Sequence, residues 1–266
     1  MSKQIAVLLP HYNNHQGLRL TLNSLLNESE DFTVFIYDDG SNELDLVKEV
    51  VNTFENKLKI TFFANANMGV TKVLNKGLKH IIGLKKYAFI ARLDAGDVCI
   101  NNRLANQKKA FLNDASLGLV ASWVRFVDIN RKQLFEFKPP SKHKQLKKVI
   151  HLYNPFIHPS VMYRVEVVEA LGFYPDNYPS LEDHAFFFRI IKQYKTEILE
   201  NILLEYEVNP KGISVTSRKQ QTSSRIKLLL NQYKFGFLPT VGLFRAILTK
   251  LIPQKILISM KMYFFK

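Results

Sequence analysis

Two aspartates stand three residues apart in Arg92-Leu93-Asp94-Ala95-Gly96-Asp97, at the end of a β-rich run over residues 87–93. Carboxylates held that way beyond a buried strand can reach one divalent cation through hard oxygen ligands. Mg²⁺ suits the pair, since it takes one or two carboxylates and fills its shell with water and phosphate oxygens. Mn²⁺ accepts the same oxygen set. The spacing fits equally a solvated turn whose aspartates open the next helix, so by itself it leaves both readings open.

Other polar clusters sit at comparable places. Asp38-Asp39-Gly40-Ser41 is ordinary turn chemistry, yet after a strand Asp39 can also accept hydrogen bonds from a base or ribose. Asn67 can cap a following helix, and Gly69 permits close approach of a ligand. Glu182-Asp183-His184 opens an expected helix, where the acids either favour the helix dipole or supply a general base. His158, in Asn154-Pro155-Phe156-Ile157-His158-Pro159-Ser160, is a further pocket candidate. His11, His15, His80 and His184 show no zinc-like pairing, the lone Cys99 makes no thiolate cluster, and no Gly-x-Ser-x-Gly elbow occurs.

The elements that must position these residues alternate. Ile5-Ala6-Val7-Leu8-Leu9, stopped by Pro10, predicts a buried parallel strand. Leu18, Leu22, Leu25 and Leu26 follow at helical spacing, then a strand over 32–37 and a helix through Leu46, Val47, Val50, Val51 and Phe54. Residues 58–63 predict a third strand, Val70 to Ile82 a helix, and 87–93 a fourth strand. This β-α order predicts an α/β fold, a mostly parallel sheet with helices on both faces. Ligands of such sheets gather at the carboxyl ends of the strands, where Pro10-His11-Tyr12-Asn13, the Asp38 turn and the Asp94 turn all fall. Further on, strands are predicted over 117–127 and 133–137, paired antiparallel, with extended chain over 156–164. A helix over 183–191 and a strand over 196–208 complete the body.

Taken in order, these motifs resemble the family 2 glycosyltransferases, inverting enzymes of the GT-A fold, over roughly residues 3–215. Residues 5–13 resemble that family's opening strand ending in Pro-x-Tyr-Asn. Asp38-Asp39-Gly40-Ser41 matches its Asp-Asp-Gly-Ser turn, and Asn67-Met68-Gly69 through Leu74-Asn75-Lys76-Gly77 its Asn-x-Gly and Leu-Asn-x-Gly segment. Asp94-Ala95-Gly96-Asp97 takes the place of the metal-binding Asp-x-Asp motif. His158-Pro159-Ser160-Val161-Met162 is similar to a segment of many bacterial members, and Glu182-Asp183 falls at the Glu-Asp motif. Many relatives read Asp-x-Asp-Asp, and Gly96 stands here where the middle aspartate would be.

The resemblance implies a nucleotide-diphosphate sugar as donor, with Pro10, Tyr12, Asn13, Asp39, Asn67, Gly69 and Asp94 in its site. It implies Asp97 as the ligand of Mg²⁺ or Mn²⁺, Asp183 as the catalytic base, and Glu182 and His158 as pocket or acceptor residues. Composition turns basic near Asn209-Pro210-Lys211-Gly212, which places a boundary between a GT-A catalytic domain over 1–210 and a basic, apolar-rich helical tail over 211–266. Within the first, 1–97 would be the nucleotide-binding half and 98–210 the acceptor half.

Charge separates the tail from the body. Eleven of the 37 Lys and Arg, and none of the 23 Asp and Glu, lie from Val208 onward, leaving +3 of the formal +14 to the rest. Such asymmetry points to a polyanion, nucleic acid or an acidic membrane surface. Residues 222–266 predict helices broken near Pro239 and Pro253. In the last piece Lys255, Ser259 and Lys266 form a polar stripe flanked by Ile256, Leu257, Met260, Phe264 and Phe265. A helix of that kind can lie on anionic lipid; packing on the catalytic body or a second subunit is the competing expectation. With no signal-like segment and no run of about eighteen apolar residues, the expected place is the cytoplasm, at the inner face of the membrane. The acceptor expected there is a glycan or lipid-linked glycan of surface polysaccharide synthesis. A sugar-phosphate nucleotidyltransferase would carry a Gly-rich basic loop after the first strand, which Pro10-His11-Tyr12-Asn13-Asn14 is not. Nucleic-acid binding by the tail would leave the strand-end carboxylates unexplained, so no nucleic acid is expected.

Overall fold

The computed structural model describes residues 4–209 and 217–251. Its first half runs β1 (Gln4–His11), α1 (His15–Leu25), β2 (Phe32–Asp38), α2 (Leu44–Glu55), β3 (Ile60–Ala64), α3 (Val70–Gly83) and β4 (Tyr87–Arg92). Then come β5 (Val98–Cys99), α4 (Arg103–Asn113), β6 (Leu117–Val127), β7 (Gln133–Phe137) and α5 (His143–Val149). A 3₁₀ turn (His158–Ser160), β8 (Met162–Arg164), α6 (Val165–Leu171), α7 (Glu182–Gln193) and β9 (Lys195–Glu207) follow. Helices α8 (Arg218–Asn231) and α9 (Phe237–Leu251) close the described chain.

One sheet joins the strands in the order β3-β2-β1-β4-β8-β6-β9-β5, with β7 paired to β6. β3, β2, β1 and β4 are mutually parallel. β8 reverses direction between β4 and β6, and β9 runs parallel to β6. The alternation along β1 explains why its apolar run is unbroken: Ala6 and Leu8 enter one core, Ile5, Val7 and Leu9 the other. A strand buried on both faces has no polar side to show. The first core is closed by α3, α6, α7 and α8, the second by α1, α2 and α4, through residues such as Leu74, Val167, Phe187 and Leu228, and Leu22, Val51 and Phe111. Gly77 lets α3 approach closely, because a Cβ there would lie 2.5 Å from Leu8 Cδ1.

Some local expectations shift. The third strand begins at Ile60, since Leu58 completes a backbone turn from Phe54. The extended stretch expected over 156–164 is strand only at Met162–Arg164, because His158-Pro159-Ser160 winds into a 3₁₀ turn. The break expected near Pro239 falls just before it: Pro239 is the third residue of α9, in the first turn, where its missing N–H has no intrahelical partner to lose. The break lies between α8 and α9. The polar stripe at Lys255, Ser259 and Lys266 lies outside the described residues, as does the boundary from Pro210 to Gly212.

Candidate active site

Each strand end of the parallel half is built by its own polar residues. Buried His11 stands 2.7 Å from Asp38 through Nδ1, and its Nε2 accepts the Asn14 N–H at 3.3 Å. A backbone N–H can only donate, so the ring proton sits on Nδ1 and is given to Asp38. Asp38 also receives the N–H groups of Gly40 and Ser41 at 3.1 and 2.9 Å and the Ser41 hydroxyl at 2.5 Å. Burial alone would raise its carboxyl, but the Ser41 and His11 hydrogen bonds outweigh that and hold it below the ordinary range. Asp38 therefore folds the turn. Asp39, nearly buried, spans the opening of the next loop, accepting the Met68 N–H at 2.7 Å and the Gly69 N–H at 3.0 Å.

That arrangement revises the expectation for Asn67. Gly69 precedes α3 with φ +88°, and no side chain caps the helix. Asn67 is exposed, and its backbone packs against Gly40, where a Cβ would lie 2.6 Å from the Asn67 nitrogen. Tyr12, two residues after Pro10, is 51% exposed. Asn13 takes the left-handed conformation at φ 48° and accepts the Asn42 N–H at 2.8 Å. The cap that does form is Asn14, which accepts the Gly17 N–H at 3.0 Å and donates to the Ala95 carbonyl at 3.0 Å.

The Asp94 turn is braced from below by two buried arginines. Arg92 places Nη2 2.6 Å from Asp94 Oδ1 and Nε 3.2 Å from His158 Nε2, and also donates to the Leu8 carbonyl. Arg103, on α4, donates to the Arg92 carbonyl at 2.8 Å. Because Arg92 can only donate, His158 Nε2 accepts and the imidazole is neutral. Burial, then the Arg92 charge, pushes His158 well below its usual range. The Tyr174 hydroxyl lies 2.8 Å from the same nitrogen. Thr21, from α1, threads the turn: its hydroxyl donates to the Asp97 carbonyl at 2.7 Å and accepts the Gly96 N–H at 3.0 Å.

Asp97 is 3% exposed. Its Oδ1 accepts the Glu207 N–H at 2.9 Å, while Oδ2 is buried without a hydrogen-bond partner. Burial and the neighbouring Asp94 charge raise its carboxyl well above the ordinary range. An orphaned buried carboxylate oxygen needs a proton or a cation, and this one fits a hard divalent ion. Among the described residues no three acidic, His or Cys side chains converge on one ion. Asp97, with Asp94 beside it, would thus contribute one or two ligands and leave the other positions to ligand oxygens and water. Gly96 has φ +107°, and a Cβ on it would lie 3.2 Å from Glu207 Oε1. The motif's missing aspartate is therefore a place where the backbone is left-handed and an acid already stands.

Across the site, α7 opens on Glu182 and Asp183. Glu182 is buried, with Oε2 unpartnered, and burial raises its carboxyl. Asp183 accepts the Asn154 amide at 3.1 Å and the His184 N–H at 2.6 Å. Burial first, and the Glu182 charge second, push Asp183 up to about 7; the Asp94 charge acts in the same direction. Asp94 is thus the carboxylate whose charge is felt both by Asp97 and by the Glu182-Asp183 pair, with Arg92 joining it to His158. Thr21, Glu207, Arg131 and Asn154 were not singled out from sequence. Arg131 donates to the Gly96 carbonyl at 2.9 Å and to Glu205 at 2.6 Å.

A mostly parallel sheet flanked by helices, with its polar residues at the carboxyl edge, is the architecture of the solved GT-A glycosyltransferases on which the chain superposes. The chain belongs to glycosyl transferase family 2, whose pattern matches residues 6–172. A glycosyltransferase of Methanocaldococcus jannaschii is 30% identical over 82% of this chain and 75% of its own. The O-antigen biosynthesis glycosyltransferase WbnJ of Escherichia coli is 25% identical over 78% of this chain and 81% of its own. Among solved structures, S. aureus TarS 1-349 in complex with UDP-GlcNAc superposes with TM-score 0.67 at 17% identity, over 90% of this chain and 69% of that one. The mannosyltransferase PcManGT from Pyrobaculum calidifontis, in complex with GDP-Man and Mn²⁺, gives 0.62 at 16%, over 91% and 68%. At such identities the structures establish a shared fold.

Proposed function

We propose that the chain transfers a sugar, with inversion, from a nucleotide-diphosphate sugar to a hydroxyl of a glycan or lipid-linked glycan in surface polysaccharide synthesis. The observation that carries this reading is the buried, unpaired Oδ2 of Asp97 at the strand ends, together with a buried Asp183 that burial and the Glu182 charge push up to about 7. Pro10, Tyr12, Asn13 and Asp39 would receive base and ribose, Tyr12 by stacking. Asn67, Gly69 and Asp94 would border the ribose and phosphates.

Asp183 is suited to take the acceptor proton as that oxygen attacks the anomeric carbon, because a base is most useful when its pKa lies near working pH. Asn154 and the His184 N–H hold its carboxylate in place. Arg92 and neutral His158 keep Asp94 oriented without adding a competing proton donor at Nε2. A divalent ion at Asp97 would stabilise negative charge on the departing diphosphate. The relative named for O-antigen biosynthesis supports the polysaccharide setting, and the neighbour holding Mn²⁺ supports the metal.

The reading is tested by incubating the chain with UDP-, GDP- and dTDP-sugars and following nucleoside diphosphate release, with and without a lipid-linked glycan acceptor. Release of one nucleotide, stimulated by acceptor and by Mn²⁺ or Mg²⁺, is expected. Failure of every donor across the metals would overturn it.

A further inference from the structure

Helices α8 and α9 form a hairpin with apolar side chains on two opposed faces. The inner face is accounted for. Leu228, Leu229 and Ala246 are buried in the first core, with Leu243 packed beside them. Gly242 lies so close to the body that a Cβ there would fall 2.1 Å from the His151 carbonyl oxygen. Arg225 donates to the Leu152 carbonyl, and Ser224 to that of Pro179 at 2.9 Å. The hairpin is thus seated on the loop that supplies Asn154 to Asp183.

The outer face has no such partner among the described residues. Phe237, Phe244, Ile247 and Leu248 recur on one side of α9 and are exposed. Tyr233 and Phe235 carry the stripe around the turn, and Phe235 is 99% and Phe237 80% exposed. Such a continuous apolar surface marks an interaction site, whereas single exposed apolar residues do not. Lys234 and Arg245 lie exposed beside it. No Asp or Glu occurs anywhere from Val208 onward.

We infer that this outer face docks on an anionic bilayer, its aromatic tip entering the headgroup boundary and its cations meeting lipid phosphates. The charge pattern selects the occupant. Two copies paired through this face would set cations against cations with no carboxylate on either side. A bilayer bearing anionic lipid satisfies the apolar stripe and the cations together. No helix among the described residues is long and apolar enough to cross a membrane; α9, held along one side by the body, would lie in the interface. The surface would serve the lipid-linked acceptor proposed above, beside the loop that holds the base.

The test needs no donor, so it stands or falls apart from the transferase reading. The full chain is floated with vesicles of phosphatidylcholine alone, or of phosphatidylcholine with phosphatidylglycerol. Binding to the anionic vesicles and little to the neutral ones is expected. Phe235→Ser with Phe237→Ser should lower the partition about tenfold or more, and Lys234→Glu with Arg245→Glu about fivefold or more per charge. Thermal unfolding should stay unchanged, because these side chains are exposed. Absence of binding to anionic vesicles, or equal binding by wild type and the Phe variant, would overturn the inference. So would a dimer in light scattering that the same Phe substitutions dissolve, since the face would then join two copies.

Discussion

The Glu207 N–H, at the end of β9, donates to Asp97 Oδ1 at 2.9 Å across 110 residues of sequence. That bond decides which oxygen of Asp97 is occupied. Oδ2 is left buried and unpaired at the carboxyl edge of the parallel strands. The end of β9 thereby fixes one oxygen of the carboxylate that stands in the turn between β4 and β5.

Asp183→Asn is expected to lower turnover by about 10²–10⁴ while leaving donor affinity within about twofold. Steady-state kinetics paired with nucleotide titration separates the two. A variant with normal turnover would remove Asp183 from the role of base.

The pH profile should follow the same group. Asp183 must be ionised to accept a proton, and its pKa is raised to about 7. The rate should therefore climb from pH 6 to 8 with a midpoint near 7. A profile flat to pH 5 would contradict this assignment.

Stability should move the opposite way. With its folded pKa above the unfolded value of about 3.9, Asp183 binds its proton more tightly in the folded chain between those limits. Its contribution is full below the unfolded value and is lost as pH rises through about 7. Asp183→Asn should accordingly be more stable than wild type at pH 8, on the order of 2 kcal/mol. The gap should close towards pH 4. Chemical denaturation at both pH values checks the sign.

Restoring the family's usual aspartate with Gly96→Asp should destabilise the fold by about 1–3 kcal/mol. The backbone there has φ +107°, and a Cβ would lie 3.2 Å from Glu207 Oε1. Gly96→Ala should account for most of the loss. A neutral effect in denaturant titration would mean that the turn relaxes freely.

Much of the site was legible because strand ends can be counted. Apolar runs fix where β1, β2 and β4 stop, and the polar residues after them must share an edge. What those residues do there was less legible. Asp38 and Asp39 look alike in sequence, yet one folds its own turn and the other clasps Met68 and Gly69. Asn67 has a capping side chain but leads into a glycine-opened helix, while the true cap, Asn14, stands in a loop whose sequence does not mark it as one. Arg92, Arg103 and Thr21 brace the carboxylates from within, and nothing in local spacing distinguishes a buried arginine from a surface one. Glu207 and Asn154 reach the site only through long-range pairing. Helices α4, α5 and α6 escaped notice because short or weakly amphipathic segments leave little periodicity to read.

Asp97 and the nucleotide it would help to hold are central to the proposed transfer. The most direct measurement is calorimetric titration of UDP, GDP, dTDP and CMP into wild type and Asp97→Asn, each with and without Mn²⁺. Metal-dependent binding of one nucleoside diphosphate, weakened tenfold or more by the substitution, is the predicted result. No binding to any nucleotide, or binding indifferent to both Mn²⁺ and Asp97, would contradict it.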